Sequence, residues 1–329
     1  MSNRFIPYGR QIVDEGDVAA VADVLRGDWL TTGPVVNRFE EAFCKVVGAA
    51  DGVAVANGTA ALHLAMLAAG VGPGDEVIVA SMTFVASANA ARFAGADVVF
   101  ADVRDDTLTI DVAHAADLIT ARTKAIVAVD YAGIPCDLDE LLDLADRHGL
   151  TLIEDACHAP GAQYKGRLIG SIAHMSAFSF HPVKHLTTGE GGMVTTNSDM
   201  LASRLRKFRN HGIDTDFRQR EELGTWAYDM SELGFNYRLP DINCALGLSQ
   251  LEKLPTWVAR RRELAARYET LFDSVPRVRT LVEPDDRKSS WHLYPIRFGG
   301  NDPSATRAAA YASMRGKQIG VNVHYRPVH

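Results

Sequence analysis

The sequence predicts an α/β protein built on a mostly parallel sheet between helices, with a smaller α+β part after it. Short runs that are apolar throughout alternate with amphipathic stretches from about residue 53 to 154, as expected for strands covered on both faces. Glycine-rich stops such as Gly70-Val-Gly-Pro-Gly74 and His148-Gly149 stand where helices give way to strands. After about Pro240 the texture changes to a long Arg-, Glu-, Leu- and Ala-rich helical stretch.

Taken in order, 14–26 carries Val18, Val21, Ala22, Val24 and Leu25 on one face behind an acidic first turn, the pattern of an amphipathic helix. Residues 27–34 form a polar loop, and a second helix covers 34–47. Strands are expected at 53–56, 76–80, 98–103, 125–130 and 150–154. Helices are expected at 59–69, 84–94, 111–119 and 137–148. Beyond 240 the reading gives helix over 241–275 with a break near Pro255, strand over 291–298, helix over 303–315 and strand over 321–325. A large domain over 1–240 and a small one over 241–329 are expected, since 329 residues exceed one usual core. The sequence stops straight after a predicted strand, so the small domain is expected to be incomplete.

A net charge of −7 argues against nucleic-acid or anionic-membrane partners, which need a basic face. No long apolar run and no signal-peptide pattern is seen, so a cytoplasmic protein is expected. Cys44, Cys136, Cys157 and Cys244 are scattered without a Cys-x-x-Cys pair, which fits free thiols better than disulfides or zinc.

The chemistry centres on 176–192. An apolar aromatic run through Phe178 and Phe180 reads as a strand end, Pro182 stops regular pairing, and Lys184 follows. A Thr-Thr-Gly-Glu-Gly-Gly loop then leads into the apolar run Met193-Val-Thr-Thr196. A lysine held on such a loop can be desolvated into a nucleophilic amine that forms a Schiff base. A lone lysine is more often a solvated surface charge, so the case rests on its companions.

Asn57-Gly-Thr-Ala-Ala-Leu62 lies between a strand and a helix. Free N–H groups there, Gly58 for close approach, and the Thr59 hydroxyl make an anion site, against the bland alternative of a Thr N-cap. Asp155 ends a strand in Ile153-Glu-Asp-Ala-Cys-His158, where open parallel sheets bind ligands. A carboxylate there can keep a pyridinium nitrogen protonated, which improves the ring as an electron sink. His158 could reach a phenolic oxygen of the same ring. Phe84 could stack on it, although most phenylalanines are core. Ser179 alternates with Phe178 and Phe180 and so points the other way, towards a phosphate. Together these residues suggest a pyridoxal 5′-phosphate (PLP) site. His181 and His185 are spaced as a metal pair but Pro182 interrupts any helix between them, and no nucleophile elbow or P-loop is present.

With these motifs placed, the chain resembles the DegT/DnrJ/StrS family of PLP-dependent sugar aminotransferases, a branch of fold type I. The likeness runs through Leu30-Thr-Thr-Gly33, 57–62, Thr83-Phe84, 154–158, 178–184, 189–192 and Gly234-Phe-Asn-Tyr-Arg238. It implies the cofactor lysine at Lys184, the ring-nitrogen carboxylate at Asp155, and cofactor contacts from Gly58, Thr59, Ala60, Phe84, His158 and Ser179. It also implies that Asn236 reaches the phosphate of a partner subunit, hence a homodimer with shared sites. Lysine at 184 implies transamination, because members that dehydrate sugars carry histidine there.

Within the family the likeness is strongest to members that aminate a UDP-linked 4-keto sugar in pseudaminic acid biosynthesis, through 6–11, 82–89, 181–192 and 323–327. That implies L-glutamate as donor, and Tyr8, Asp28, Trp29, Leu30, Thr31, His324, Tyr325 and Arg326 as contacts of the nucleotide sugar. Aminotransfer to a dTDP- or GDP-linked keto sugar, or a truncated relative without activity, are the alternatives.

Overall fold

The computed structural model describes residues 5–215 and 217–329. Among the described residues nine strands run through the first two-thirds of the chain. They are β1 (Asp51–Val55), β2 (Glu76–Ala80), β3 (Asp97–Ala101), β4 (Thr123–Val129), β5 (Thr151–Asp155), β6 (Gln163–Tyr164), β7 (Arg167–Leu168), β8 (Met175–Ser179) and β9 (Gly192–Thr196). Among the described residues seven of them form the central sheet, in the order β1-β9-β8-β5-β4-β2-β3. Neighbours are parallel except at β9, which runs antiparallel to both β1 and β8. The predicted mostly parallel sheet is present, and the reversed strand is the second apolar run after Lys184.

The helices are α1 (Glu15–Arg26), α2 (Pro34–Val47), α3 (Gly58–Ala68), α4 (Val85–Phe93), α5 (Val112–Asp117), α6 (Leu138–His148), α7 (Asp199–Arg209), α8 (Phe217–Glu222), α9 (Asp241–Leu251), α10 (Leu254–Phe272) and α11 (Pro303–Gly316). The α6–β5 turn illustrates how sequence sets a junction. Gly149 takes a left-handed φ of 64°, which costs a glycine little, and ends α6 so that β5 can start two residues later. The predicted break near Pro255 falls at Glu252-Lys253, with Pro255 in the first turn of α10, where its missing N–H is no loss.

Phe39 and Phe43 of α2 meet Phe178 and Phe180 edge-on, with ring centroids 4.9–5.3 Å apart. These fully buried rings occupy one face of the β8 end and leave Ser179 to face the other way. A second cluster joins Leu108, Tyr131, Ala132 and Ile134 to Ala265, Leu281, Trp291 and Leu293.

Two predicted strands near the C-terminus are absent. Over 291–298, Trp291 adopts a φ of +47°, and Ser290 and Leu293 donate to the Gly133 and Ala132 carbonyls. Only Arg297–Phe298 pairs as a strand, with Val278–Arg279. Residues 321–325 form no ladder among the described residues; the pairing stops at Ile319, which bridges Ile6. An apolar run makes a strand only where a neighbour offers free backbone groups, and here loops pack against it instead.

Two buried aspartates fasten the helices. Asp17 closes a capping box with Asp14 at the start of α1 and also accepts from Gln250 Nε2 at 2.6 Å and Lys253 Nζ at 2.8 Å. Asp241 accepts the Gly33 and Val35 N–H groups at 2.7 and 3.0 Å. Gly33 has no side chain to cap α2, so the cap is supplied from the start of α9. Replacing Asp241 leaves these donors buried without an acceptor. Asp241→Ala is expected to cost about 3 kcal/mol, and Asp241→Asn about half of that, read as a lowered urea midpoint.

Candidate active site

Lys184 lies on the loop between β8 and β9, as expected. Its loop is pinned at several points. Lys184 N donates to the His181 carbonyl at 2.8 Å, Phe180 N to Gly191 O at 2.8 Å, and Thr188 N and Thr187 Oγ1 both reach Phe180 O at 3.0 Å. From α9, Asn243 Nδ2 donates to the Thr188 carbonyl at 2.6 Å. The side chain is half-buried overall, but its amine is enclosed, and loss of water there pushes its pKa below the ordinary lysine value. The negative charge of Asp155 acts in the opposite sense.

Asp155 ends β5, between Val129 of β4 and Ala177 of β8. Its Oδ2 accepts from Ser87 Oγ at 2.6 Å and its Oδ1 from Cys157 N at 3.3 Å.

Three buried imidazoles share the space. His158 lies 4.4 Å, centroid to centroid, from His292, which lies 5.3 Å from His185. His185 Nε2 faces the Ser290 carbonyl at 3.1 Å; a carbonyl only accepts, so this nitrogen carries the proton. Burial holds His158 and His292 well below the usual histidine range, and burial followed by the Arg261 charge pushes His185 down to about 3. The Nδ1 atoms of all three are buried without a hydrogen-bond partner. The imidazoles that feel the charge of the lysine are thus neutral rings.

His158 Nε2 also meets the Tyr325 hydroxyl at 3.2 Å, and the Tyr325 ring lies 5.8 Å from Phe84, which is itself exposed. Next to Tyr325, His324 Nε2 meets the Tyr8 hydroxyl at 2.5 Å, and Tyr131 donates to the His324 carbonyl at 2.8 Å. Segments more than 300 residues apart in sequence thereby meet beside His158.

At the N-terminus of α3, Asn57 Oδ1 accepts Ala60 N at 2.8 Å and is the cap; Thr59 is not. The Gly58 and Thr59 N–H groups have no protein partner among the described residues. A Cβ on Gly58 would come within 2.8 Å of the Ser179 Cβ, so only glycine lets α3 meet the end of β8 this closely. Backbone donors and the Ser179 hydroxyl there form a small cradle suited to an anion.

The structure therefore brings His158, Phe84, Tyr325, His324 and Tyr8 into one contact network, with Lys184 and Asp155 close enough to feel one another's charge and that of its members, and Gly58, Thr59, Ala60 and Ser179 at an adjoining strand end. The other expected residues lie elsewhere. Asp28, Trp29, Leu30 and Thr31 are exposed on the loop between α1 and α2, and Thr31 lines a separate cavity of about 640 Å³ with Arg206, Arg209 and Arg238. Arg326 and Asn236 are exposed. Sequence reasoning missed Ser87, His292 and Arg261. Ser87 carried a faint signal, as a small polar residue one turn after Phe84 in an alanine-rich helix. His292 was hidden inside a stretch read as a strand.

Fold and site together are those of a PLP-dependent transferase of fold type I. Comparison with known proteins narrows this. The chain belongs to the DegT/DnrJ/EryC1/StrS aminotransferase family, whose model matches residues 11–329. It is 40% identical to the spore coat polysaccharide biosynthesis protein SpsC of Bacillus subtilis, across 99% of this chain and 85% of that protein. Among solved structures it is similar to Spr1654 of Streptococcus pneumoniae, described as a sugar aminotransferase and solved with PMP (TM-score 0.92, 32% identity, covering 98% of this chain and 86% of that one). It is also similar to Helicobacter pylori PseC, an aminotransferase of pseudaminic acid biosynthesis (TM-score 0.91, 34% identity, covering 99% and 86%). The chain is thus a sugar aminotransferase of a PLP-dependent family. No helix among the described residues is long and apolar enough to cross a membrane.

The buried imidazoles carry a stability consequence. A histidine held neutral in the fold has a depressed folded pKa, so its contribution is complete above the unfolded value near 6.5 and is lost as pH falls below it. For His185 the loss runs from about pH 6.5 to about 3. Each such residue steepens the decline by up to about 1.4 kcal/mol per pH unit. Urea midpoints between pH 7.5 and 5 should fall steeply for the native protein and less steeply for His185→Gln.

Proposed function

We propose that this chain transfers the amino group of L-glutamate to the C4 keto carbon of a UDP-linked 2-acetamido-2,6-dideoxy-4-hexulose, as in pseudaminic acid biosynthesis. The observation that carries the catalytic part is the enclosed amine of Lys184 beside Asp155, among imidazoles that burial keeps neutral. The choice of sugar is supported by the likeness to PseC and by the PseC-like segments 6–11 and 323–327, whose Tyr8 and His324 meet at the pocket wall.

Bound PLP supplies the carbonyl that carries the amino group and a ring that accepts electrons from the reacting carbon. The remaining work falls to side chains. Lys184 Nζ would act as the base that moves a proton between the reacting carbon of each substrate and the cofactor, which requires a neutral amine. Desolvation provides that neutrality. Asp155 holds a fixed negative charge where the ring nitrogen would lie. His158 and Tyr325 orient one another beside it. The N-terminus of α3 and Ser179 would hold the phosphate. Glutamate leaves as 2-oxoglutarate, whose keto oxygen comes from a water molecule, and the keto oxygen of the sugar leaves as water, so no water is consumed overall.

The reading includes a homodimer. Trp226, Leu233, Met230 and Tyr228 stand exposed on the segment that leads to Asn236, with Trp226 89% accessible. Such an apolar segment is suited to cover by a second copy, which would carry Asn236 to the neighbouring phosphate cradle. The 40% identity to SpsC favours a second reading, aminotransfer to a different nucleotide-linked keto sugar for a surface polysaccharide.

The test is incubation with PLP, glutamate and a panel of UDP-, dTDP- and GDP-linked 4-keto sugars, with mass spectrometry of the products. Amination of the UDP sugar in preference to the others, with 2-oxoglutarate formed in equal amount, is expected. Turnover of a dTDP or GDP sugar alone would overturn the substrate assignment. Lys184→Ala should abolish turnover and the visible absorption of bound PLP, and full turnover in that variant would remove the lysine from the mechanism.

A further inference from the structure

Asp155 is held by a chain of hydroxyls that begins outside its own strand. Ser87 Oγ lies 2.6 Å from Asp155 Oδ2, and Thr83 Oγ1 lies 2.6 Å from Ser87 Oγ. Thr83 Oγ1 also lies 3.2 Å from the Phe84 carbonyl. Ser87 is 0% and Thr83 1% exposed, so bulk water does not compete for these groups. Thr83 follows β2 and Ser87 sits in the first turn of α4, whereas Asp155 ends β5, with β4 lying between the two strands. The chain of bonds therefore crosses the sheet end.

A hydroxyl has one proton to give, and that fixes the direction of the chain. If Asp155 is ionised, Ser87 donates to it, and the short Thr83–Ser87 contact is attractive only if Thr83 donates to Ser87. If Asp155 carries a proton on Oδ2, the chain reverses: Asp155 donates to Ser87, Ser87 to Thr83, and Thr83 to the Phe84 carbonyl. The first arrangement ends on a charged acceptor at 2.6 Å and the second on a neutral carbonyl at 3.2 Å. Bonds to charged acceptors are the stronger, so the ionised arrangement is preferred. Both donors are neutral. They stabilise the negative charge without cancelling it, as an arginine would.

We propose that Thr83 and Ser87 form a two-hydroxyl relay that orients Asp155, making Ser87 a positioning residue for the carboxylate that faces the PLP ring nitrogen. With Oδ2 committed to Ser87, Oδ1 holds a single long bond, from Cys157 N, and is the oxygen with capacity to spare. Loss of the Ser87 hydroxyl frees the carboxyl to turn away from the ring nitrogen, which weakens its hold on the proton there. The inference rests on the assignment of Asp155 above.

Two readouts test it: PLP dissociation constants of the apoprotein, and the ¹⁵N signal of ring-labelled PLP, which reports protonation of the ring nitrogen. Ser87→Ala should weaken PLP binding roughly 10-fold, the size of one lost hydrogen bond to a charged group, and move the ¹⁵N signal towards the unprotonated position. Thr83→Val should move both in the same direction by less, and Ser87→Thr should restore both. A Ser87→Ala protein with native affinity and native ¹⁵N signal overturns the relay. If Ser87→Ala does not fold, Thr83→Val with both readouts unchanged overturns it instead. Failure of the underlying assignment looks different: the native protein would bind PLP with an unprotonated ring, and Asp155→Ala would bind it equally well.

Discussion

The structure is organised around the removal of water from one amine. A lysine ammonium is strongly hydrated, and enclosing it disfavours the charged form unless an anion compensates. Here the amine loses water while the compensation is partial: Asp155 is the nearby carboxylate, and the imidazoles near it are themselves neutral. A cation in place of any of these rings would push the amine further towards neutrality but repel positively charged intermediates. A second carboxylate would restore its charge and remove its basicity. The arrangement lies between these limits, where a lysine both reacts as an amine and moves a proton.

The sheet makes this arrangement possible through the reversal at β9. Because β1, β8, β5 and β2 run in the same direction, their carboxyl ends emerge along one edge. From β1 comes the N-terminus of α3, from β8 the Lys184 loop, from β5 Asp155, and from β2 the Thr83–Ser87 hydroxyls. β9 runs back between β8 and β1, so the lysine loop turns at the edge within twelve residues instead of crossing the sheet through a helix. The loop is short enough for Thr187, Thr188 and Asn243 to hold it at both ends, and the amine is positioned by backbone rather than by a mobile connection.

How much of this the sequence disclosed follows from the range of the interactions. The alternation of apolar runs and amphipathic helices gave the sheet, and strand-end positions gave Lys184, Asp155, Gly58 and Ser179, because these signals are local. Contacts between distant segments left no such trace. Asp241 caps α2 across 208 residues, and Tyr8 meets His324 across 316. Ser87 reaches Asp155 across 68 residues, with nothing beyond a serine in a helix to announce it. The two false strands, 291–298 and 321–325, failed for a related reason. Side-chain pattern marks a segment as able to pair, but the partner that completes the ladder belongs to the rest of the fold.

Two consecutive carboxyls on β5 show how far environment outweighs residue type. Asp155 faces the amine and two donors. Glu154, one residue earlier and so on the other side of the strand, faces Asp130 at the end of β4. Both are fully buried, and each keeps an oxygen, Oε1 of Glu154 and Oδ2 of Asp130, without a hydrogen-bond donor. Burial, with the neighbouring charge, raises Asp130 well above the usual carboxylate range, and burial raises Glu154 to about 7. One proton held between them gives both orphaned oxygens a partner and removes a like-charge repulsion that the interior would not screen. The Ser176 hydroxyl, 2.5 Å from the other Glu154 oxygen, and Cys136 N, 2.9 Å from Asp130 Oδ1, satisfy the rest. The shared proton thus lies on the side of β5 that faces the core, away from the amine, and the separation depends on a single strand residue turning each carboxyl to its own face.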